Sequence, residues 1–438
     1  MAAERSPVKV AVVGLWHLGC VTAASLVAGG HDVVGVDVDA GTLRGLRAGR
    51  APVFEPGLDE TIAAGTKAGR LAFTGDPGGV SDCDVVWITY DTPVDDDDCA
   101  DVEFVVEQVA RVFPAVRAGA LVLVSSQLPV GTTARLERMF FGARPDAGVT
   151  FGYSPENLRL GKALAAFQQP DRVVVGLRHD ADRPRVSALL APFTRRVEWV
   201  SVESAEMTKH ALNAFLATSI AFANEVATLC EVTGADAKEV ERGLKSEPRI
   251  GARAYLSPGA AFAGGTLARD LVFLTEIGDR HQRPARLLSS ARESNEAHKQ
   301  WAAQRLHLEL GELRGQRIAV WGLTYKPGTN TLRRSSAVEL CRRLHEQGAI
   351  VCAHDPAVKA LPPDLVGEIE LAPTALDAVT GASALVVATA WPDYRSVDPS
   401  DVVAVMQRPC VLDPGRFLAA SLGCDARIRY VTVGQGAK

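Results

Sequence analysis

The sequence predicts an α/β fold in which two doubly wound, mostly parallel sheets are joined by one long helix. β-Rich runs alternate with helix-like segments through the first half of the chain. An alanine-rich segment without proline or glycine follows, and a second strand–turn–helix cycle begins near residue 316. Such alternation is typical of parallel sheets covered by helices. A chain of 438 residues is long enough for two or three domains.

The first half opens with a β-rich run, a glycine turn, a helical segment and a second strand. The first run, residues 9–13, ends at Gly14, and the second, residues 32–37, ends at Asp37. This order is the beginning of a Rossmann-like dinucleotide-binding unit. Four further β-rich runs continue the predicted sheet, at residues 84–90, 121–125, 149–153 and 172–176.

The turn after the first strand, residues 14–19, reads G-L-W-H-L-G and is called the coenzyme turn below. Trp16 occupies the place of the middle glycine of G-x-G-x-x-G, which normally lets the backbone approach a pyrophosphate. Alone, the turn therefore fits either a coenzyme site or a plain strand–helix connection. Asp37 favours NAD over NADP, because a carboxylate suits a free ribose hydroxyl and would repel a phosphate.

A long helix is predicted from about residue 204 to residue 233. It is apolar on more than one side, which indicates burial between domains or in a dimer. Lys209 and Asn213 lie four residues apart and share one helical face. A lone lysine on a helix is usually solvated, but this one lies in an apolar helix beside an asparagine, which favours a functional role.

Residues 262–270 read F-A-G-G-T-L-A-R-D and are called the reactive loop below. Two adjacent glycines let a backbone pass close to a ligand. A hydroxyl, a cation and a carboxylate follow at Thr266, Arg269 and Asp270. Farther along, β-rich runs at residues 316–322, 350–354 and 385–389 predict a second, smaller doubly wound domain.

Composition excludes several classes of function. The net charge of −5 comes without a basic run, so nucleic-acid binding is not expected. We expect neither a signal peptide nor a membrane span, because no apolar run of about 18 residues stands out. The eight cysteines are scattered without a C-x-x-C pair, which predicts reduced thiols and a cytoplasmic protein. The acidic run at residues 95–98 is predicted to be a solvated loop, and no metal site is expected.

Several ordered blocks together carry a family resemblance. They are the coenzyme turn, F-E-P-G-L-D-E at 54–60, T-P with C-A-D within 92–101, P-V-G-T-T at 129–133, S-P-E-N-L-R at 154–159, E-M-T-K…N at 206–213, the segment 249–270, Y-K-P-G-T-N…R at 325–333 and H-D-P at 354–356. In this order and spacing they resemble the UDP-glucose/GDP-mannose dehydrogenase family over nearly the full length of the chain. The resemblance implies an NAD cofactor, a nucleotide-diphosphate sugar substrate and a homodimer.

The resemblance also implies three domains and a set of site residues. Residues 1–203 would bind NAD in a Rossmann-like domain, residues 204–310 would form a helical dimerisation domain with the reactive loop, and residues 311–438 would bind the nucleotide sugar in a second Rossmann-like domain. Coenzyme contacts are expected from Gly14, Trp16, His17, Leu18, Gly19, Asp37, Thr92 and Gln127. Substrate contacts are expected from Arg159, Arg249, Tyr255, Gly264, Gly265, Lys326 and Arg333. Catalysis is expected from Lys209, Asn213, Asp270, Thr266 and Glu156.

Family members oxidise the C6 alcohol of a nucleotide hexose twice, through a thioester formed on a cysteine. Here Thr266 occupies the place of that cysteine, and threonine at its normal pKa is a poor nucleophile without a strong adjacent base. The family glutamate that handles the hydrolytic water is Leu160 here, and Gln127 occupies the place of a threonine. These departures affect the covalent, hydrolytic half of the chemistry.

The groups suited to the first hydride transfer remain. Lys209 and Asn213 could hold the alkoxide or carbonyl oxygen, and Asp270 could move the hydroxyl proton through a water. The leading hypothesis is an NAD-dependent nucleotide-sugar oxidoreductase without thioester chemistry, which gives a carbonyl product or epimerises its substrate with retained NADH. The alternatives are an ordinary four-electron 6-dehydrogenase that gives a uronic acid, and a non-catalytic homologue that binds NAD or a nucleotide sugar.

Overall fold

The computed structural model describes residues 7–95, 100–156, 158–263 and 265–436. Tertiary contacts divide the chain into two compact units, Met1–Ala211 and Leu212–Lys438. Each unit is described by itself below. The predicted division into three domains stays a prediction.

The first unit contains an eight-stranded sheet in the order β3-β2-β1-β4-β5-β6-β7-β8. Neighbouring strands are parallel, except for the antiparallel pair β6 and β7. In the register of β1, Val13 is paired with Val36 of β2 and with Ile88 of β4, so the carboxyl ends of these three strands meet at one edge. The strands are β1 (Lys9–Val13), β2 (Asp32–Val36), β3 (Leu71–Thr74), β4 (Val85–Ile88), β5 (Leu121–Val124), β6 (Thr150–Tyr153), β7 (Val173–Leu177) and β8 (Val197–Val200).

Helices and two apolar cores cover this sheet. One core contains alternate residues of β1 such as Ala11 and Val13, and the other contains Val10 and Val12, so successive side chains of the strand enter different cores. This is the burial expected of a parallel sheet that is covered on both faces. The helices are α1 (His17–Ala28), α2 (Ala40–Arg47), α3 (Leu58–Lys67), α4 (Val102–Ala110), α5 (Thr132–Ala143), α6 (Ala163–Gln168) and α7 (Arg183–Leu190).

The predicted long helix is present as α8 (Val202–Thr233), which begins in the first unit and ends in the second. Alanine-rich sequence without proline or glycine explains its unbroken length. Contrary to the expectation that no apolar run of membrane length exists, α8 is long and apolar enough to cross a membrane by length and composition alone. Core helices of soluble proteins satisfy the same criterion, and α8 carries the buried polar side chains described below.

The second unit joins helices to a six-stranded parallel sheet in the order β11-β10-β9-β12-β13-β14. Trp301 and Leu306 share one apolar core with Ile318 and Leu344, so the helices before the sheet pack against it. The helices are α9 (Ala237–Ser246), α10 (Thr266–Arg280), α11 (Arg286–His298), α12 (Trp301–Leu310), α13 (Ser336–Glu346), α14 (Ala375–Val379) and α15 (Pro399–Val405). The strands are β9 (Arg317–Trp321), β10 (Ile350–His354), β11 (Glu370–Leu371), β12 (Ala384–Val387), β13 (Cys410–Leu412) and β14 (Arg429–Val431).

The predicted fold class is therefore confirmed: the chain has two doubly wound sheets, and a long helix lies between them in sequence. Five strands were not predicted: β3, β8, β11, β13 and β14. The last three have only two or three residues, and β3 and β8 alternate between exposed and more buried positions. Periodicity cannot identify such short strands without the neighbours that pair with them.

Candidate functional site

The coenzyme turn requires glycine at both ends. Gly14 has a φ of +95°, and a Cβ there would lie 2.7 Å from the Tyr90 ring. A Cβ at Gly19 would lie 1.8 Å from the Gly14 carbonyl oxygen, because α1 packs directly on the turn. Only glycine meets both conditions. Gly14 thus lies in the turn and Gly19 in the first turn of α1, and the expected contact of both glycines with the coenzyme stays a prediction.

The N-terminus of α1 lacks a side-chain cap. Trp16 is the N-cap residue and makes no side-chain hydrogen bond to the helix, and no acidic residue lies in the first turn. The first N–H groups of an α-helix have no partner within the helix and attract anions. The beginning of α1, with His17, Leu18 and Gly19, therefore suits the pyrophosphate of the predicted coenzyme.

Asp37 lies directly after β2, beside the coenzyme turn. Its carboxylate accepts hydrogen bonds from the Leu15 N–H at 2.6 Å and the Asp39 N–H at 2.9 Å, and the residue remains partly exposed. At the ends of β4 and β5, the Thr92 hydroxyl donates to the Gln127 carbonyl oxygen at 2.7 Å. The structure thus brings predicted coenzyme residues to one edge of the sheet, and their donors and acceptors fit NAD.

Lys209 is a buried cation held by Glu156. Its Nζ donates to the Glu156 backbone oxygen at 2.6 Å and lies 3.2 Å from Oε1 of the same residue. Glu156 Oε2 also accepts from the Leu158 N–H at 2.6 Å. Lysine is rarely buried without a charge partner. The structure thus joins two predicted catalytic residues from distant parts of the chain.

Two residues that the sequence analysis did not single out fix the beginning of α8. Glu206 is fully buried and accepts hydrogen bonds from the Gly131 N–H at 2.7 Å and the Thr133 N–H at 2.9 Å, at the N-terminus of α5. His210 Nε2 lies 2.9 Å from the Leu128 carbonyl oxygen. Glu206 and His210 are four residues apart in the E-M-T-K-H block, and this spacing on an otherwise apolar helix was the available signal.

Asn213 and Asp270 form a second buried polar pair, in the second unit. Asn213 Nδ2 donates to Asp270 Oδ2, and Asp270 is 0% exposed. Asp270 lies one helical turn after Thr266, the first residue of α10. The pairing of these two predicted catalytic residues follows from α10 packing on α8 through Leu271 and Ala217.

The reactive loop leads directly into α10. Gly265 is the N-cap residue, with a φ of +104° that favours glycine, and Thr266 is exposed. A Cβ at Gly265 would lie 3.9 Å from the Tyr325 hydroxyl oxygen and 4.0 Å from Arg334 Nη1. The reactive loop therefore faces the loop 323–335 of the same unit. Gly264 lies outside the described residues.

Two buried side chains, Asn224 and Asn295, and the partly buried His298 hold the segment that leads into the reactive loop, and the sequence analysis missed all three. Asn224 Oδ1 accepts from the Gly259 N–H at 2.9 Å, and His298 Nε2 lies 2.8 Å from the Gly259 oxygen. Asn295 bonds both backbone groups of Phe262, each at 2.9 Å. Burial lowers the pKa of His298, so a neutral imidazole is favoured there. Asn295 and His298 lie three residues apart on α11, but the sequence alone does not show that their partners are backbone groups of Phe262 and Gly259.

The predicted substrate residues lie in different surroundings. Arg159 is exposed in the first unit. In the second unit, Arg249 is exposed and pairs with Glu247 at 2.9 Å, and Tyr255 is 57% exposed. Lys326 is partly buried and Arg333 is exposed, both on the loop 323–335 that faces the reactive loop. Within the second unit, the structure therefore brings the reactive loop close to the loop 323–335, whereas Arg249 pairs with Glu247, two residues away in sequence.

The cysteines nearest to Thr266 in sequence are buried structural thiols. Burial raises the pKa of Cys341 to about 12 and also raises the pKa of Cys230. Among the seven cysteines that the structure describes, all are free thiols and only Cys424 is exposed. A thiol with a raised pKa is a poor source of thiolate. Neither Cys230 nor Cys341 therefore has the environment of a catalytic nucleophile.

Within the described ranges, no cluster of three or more His, Cys, Asp or Glu side chains is arranged to hold a metal ion. The carboxylates at the site already accept hydrogen bonds from the protein. Most of the predicted acidic run, residues 96–98, lies outside the described residues.

Known proteins of one family are similar to this chain over nearly its full length. Three models of the UDP-glucose/GDP-mannose dehydrogenase family match in order: the NAD binding domain at residues 8–194, the central domain at 203–297 and the UDP binding domain at 319–420. A UDP-glucose 6-dehydrogenase of Rhizobium meliloti (strain 1021) is 32% identical over 98% of this chain and 99% of its own length. A UDP-glucose 6-dehydrogenase of Pseudomonas aeruginosa is 32% identical over 98% of this chain and 97% of its own length.

Solved structures agree with the fold. The UDP-glucose dehydrogenase of the archaeon Pyrobaculum islandicum has a TM-score of 0.86 and 30% identity, with 99% of each chain covered. A UDP-D-ManNAc dehydrogenase of Pyrococcus horikoshii has a TM-score of 0.84 and 25% identity, over 98% of this chain and 99% of the other. The coenzyme turn, the paired polar residues of α8 and these full-length similarities lead to one conclusion: the chain belongs to the UDP-glucose/GDP-mannose dehydrogenase family, whose members are NAD-dependent oxidoreductases of nucleotide sugars.

Proposed function

We propose that this chain oxidises an alcohol of a nucleotide sugar to a carbonyl without thioester chemistry. The observation that carries the proposal is Thr266 at the first position of α10, where the family chemistry requires a thiol. A threonine hydroxyl needs a strong adjacent base to become a nucleophile. Asp270 is engaged by Asn213, and Lys209 is engaged by Glu156. Both pairs suit proton transfer and charge stabilisation better than activation of a threonine.

The proposed step is a single hydride transfer. The carbon–hydrogen bond of the alcohol breaks, its hydride passes to NAD, and the hydroxyl proton leaves to water through Asp270, so the alcohol becomes a carbonyl. Lys209 and Asn213 stabilise the oxygen as its negative charge develops. Glu156 holds Lys209 in position through its two contacts. A buried ammonium close to the developing charge acts in a low-dielectric environment, where its effect is strong.

Two outcomes follow from this step. Release of the product gives an aldehyde or ketone together with NADH. Return of the hydride to the opposite face of the carbonyl gives an epimer, with no net oxidation and with NADH retained during turnover. Both outcomes need one coenzyme molecule and no acyl intermediate. Formation of an acid would need water and a second NAD.

The names of the relatives support a second candidate, ordinary oxidation to a uronic acid. The relatives in R. meliloti and P. aeruginosa are named UDP-glucose 6-dehydrogenases. Direct oxidation of a hydrated aldehyde would give the same product without a thiol. A UDP-sugar is therefore the first substrate to test. A non-catalytic binding role is disfavoured by the two buried pairs, Lys209 with Glu156 and Asn213 with Asp270.

The deciding experiment follows NADH absorbance and product mass with NAD and a panel of UDP-, GDP-, dTDP- and CDP-sugars. One NADH per sugar with loss of two hydrogens supports the carbonyl reaction. An isomer without accumulated NADH supports epimerisation. Two NADH per sugar with a gained oxygen would contradict the proposal in favour of the uronic acid. Binding without turnover would contradict every catalytic assignment.

A Thr266→Cys variant tests the missing thiol directly, with Thr266→Ser as its matched control. We expect the cysteine variant to gain acid formation and the serine variant to keep the product of the wild-type chain. If neither variant forms acid, Thr266 is not the only departure that blocks the second oxidation, and Leu160 becomes the next position to change.

We also propose a cytoplasmic homodimer formed through α8. Phe215, Phe222 and Leu229 lie seven residues apart on this helix and are 70%, 48% and 62% exposed. Such a stripe on one helical face suits a second copy of the same helix. Light scattering should give a dimer for the wild-type chain and a monomer for Phe215→Glu with Phe222→Glu. Leu308→Glu, a change at an exposed leucine of α12, should keep the dimer.

A further inference from the structure

Three large apolar side chains in or near the coenzyme turn are exposed to solvent. Trp16 is 50% exposed, Val38 is 51% exposed and Phe54 is 81% exposed. Val38 directly follows Asp37, the predicted ribose ligand. Exposed apolar residues that occur singly need no explanation, but a group around a binding site indicates contact with a ligand. The block that contains Phe54 has no role in the reaction proposed above.

A partly buried contact joins the two residues that follow Trp16 and Phe54 in sequence. His17 Nε2 lies 3.1 Å from Glu55 Oε2, and each of these residues directly follows one of the two aromatic residues. Glu55 is buried and also accepts from the Gly161 N–H and the Ala163 N–H, each at 2.7 Å. The contact between His17 and Glu55 therefore brings the segment that contains Phe54 to the beginning of α1, where Trp16 and Phe54 are both exposed.

We propose that Trp16 and Phe54 form an aromatic cover over the bound coenzyme. The N-terminus of α1 would hold the pyrophosphate and Asp37 would hold the ribose, and Trp16 and Phe54 would contact a coenzyme held there. Contact with the coenzyme removes the exposed apolar surface of the rings from water and slows dissociation. Trp16 thus replaces the close approach that a glycine would allow with a side chain that holds the ligand.

The cover connects two of the departures of this chain from the family pattern, Trp16 and Thr266. A reaction that returns its hydride needs NADH to stay bound until the hydride is returned. Trp16 would supply that retention, and Thr266 would prevent the second oxidation that consumes another NAD. This last step rests on the proposed function, whereas the cover itself depends only on coenzyme binding.

NADH release without any sugar tests the cover directly. In a stopped-flow experiment, the purified chain loaded with NADH is mixed with excess NAD, and NADH fluorescence follows dissociation. Trp16→Ala, which removes the ring without restoring the glycine fingerprint, should release NADH at least about tenfold faster than the wild-type chain, and Phe54→Ala should release it severalfold faster. Trp16→Phe should stay close to the wild-type rate. Energy transfer from tryptophan to NADH should fall strongly in Trp16→Phe, since this variant keeps the cover but loses the indole.

Trp199→Phe is the matched control, because it removes another tryptophan of the first unit, one that contacts Arg183. We expect this variant to leave both the release rate and the energy transfer unchanged. Unchanged release in both Trp16→Ala and Phe54→Ala would overturn the proposal, even if one of the two variants changed the fold stability. Because no sugar is present, this outcome is independent of whether the chain forms a carbonyl, an epimer or an acid.

Discussion

The turn after β1 and the turn after β9 share one backbone design. Both follow the first strand of a doubly wound sheet, and both sheets repeat the same strand order around that strand. Gly14 has a φ of +95° and Gly322 has a φ of +93°. A Cβ at Gly14 would contact Tyr90, and a Cβ at Gly322 would lie 2.3 Å from the Cβ of Thr389. In both units the glycine lets the turn lie in close contact with the segment that follows the neighbouring strand, β4 in the first unit and β12 in the second.

The carboxylates beside these turns are used differently. Asp37 is partly exposed and accepts one hydrogen bond from its turn, from Leu15. Asp355 is 2% exposed, and one of its oxygens accepts from the N–H groups of Leu323 and Thr324, the Thr324 hydroxyl and a tryptophan indole. Asp37 can therefore still accept hydrogen bonds from a ligand, whereas the carboxylate of Asp355 is occupied by donors of its own unit.

The helices that follow the two turns also differ, in the capping of their N-termini. α1 begins at His17 without a side-chain cap, while α13 begins only at Ser336 and is capped by the Ser335 hydroxyl. The loop 323–335 occupies the interval and faces the reactive loop. The comparison teaches that one fold can leave a turn open for a ligand in one unit and close it in another. Capping and hydrogen-bond partners decide between these uses.

The largest expected effect is a loss of stability when a glycine of the shared backbone design is replaced. Gly322→Ala should lower the free energy of unfolding by on the order of 4 kcal/mol, because it adds strain at a positive φ to a clash with the backbone of Thr389. Gly14→Ala should show a similar loss. Chemical denaturation measures both effects. Gly243→Ala is the control, since its Cβ would meet nothing within 4 Å inside α9, and it should not destabilise the chain.

The next effect sharpens the contrast between the carboxylates. Asp355→Ala should cost about 3 kcal/mol of unfolding free energy, because it leaves several buried donors without an acceptor. Coenzyme affinity should change little, because no predicted coenzyme contact involves Asp355. Denaturation and NAD titration separate the two effects. A strong loss of NAD binding with unchanged stability would contradict the structural role of Asp355.

Asp37→Ala should give the opposite pattern. We expect NAD affinity to fall roughly tenfold, about 1.4 kcal/mol, while the unfolding free energy changes by less than that. Asp37→Asn is the matched variant, because it keeps hydrogen-bonding atoms without the charge, and it should bind NADP better than the wild-type chain does. Calorimetric titration measures both coenzymes. Equal NAD affinity in wild type and Asp37→Ala would place the ribose elsewhere.

The smallest effect concerns the helix caps. Ser335→Ala should destabilise the chain by about 1 kcal/mol, because the Ala337 N–H loses its side-chain acceptor at the beginning of α13. Ser246→Ala, at an exposed serine whose hydroxyl donates only to a nearby carbonyl oxygen, should stay within about 0.5 kcal/mol. Equal effects in the two variants would show that the Ser335 side chain does not stabilise the N-terminus of α13.

Much of the fold could be predicted because local sequence patterns indicate its main elements. The strand that ends at Gly14, the long proline-free helix and the second cycle near residue 316 each have a strong local signal. The supporting residues could not be predicted in the same way. The roles of Glu55, Glu206 and Asn224 depend on backbone groups that lie far away in sequence.

The sequence by itself determined the strand–turn–helix order, the position of the two essential glycines of the coenzyme turn and the presence of Thr266 in place of a thiol. These properties depend on residue type and local spacing, which a chain carries before it folds. Tertiary structure decided that Lys209 meets Glu156, that Asn213 meets Asp270 and that Asp355 is closed to ligands while Asp37 stays open. Those outcomes depend on burial and on which donors reach each carboxylate, and both arise only when distant segments pack together.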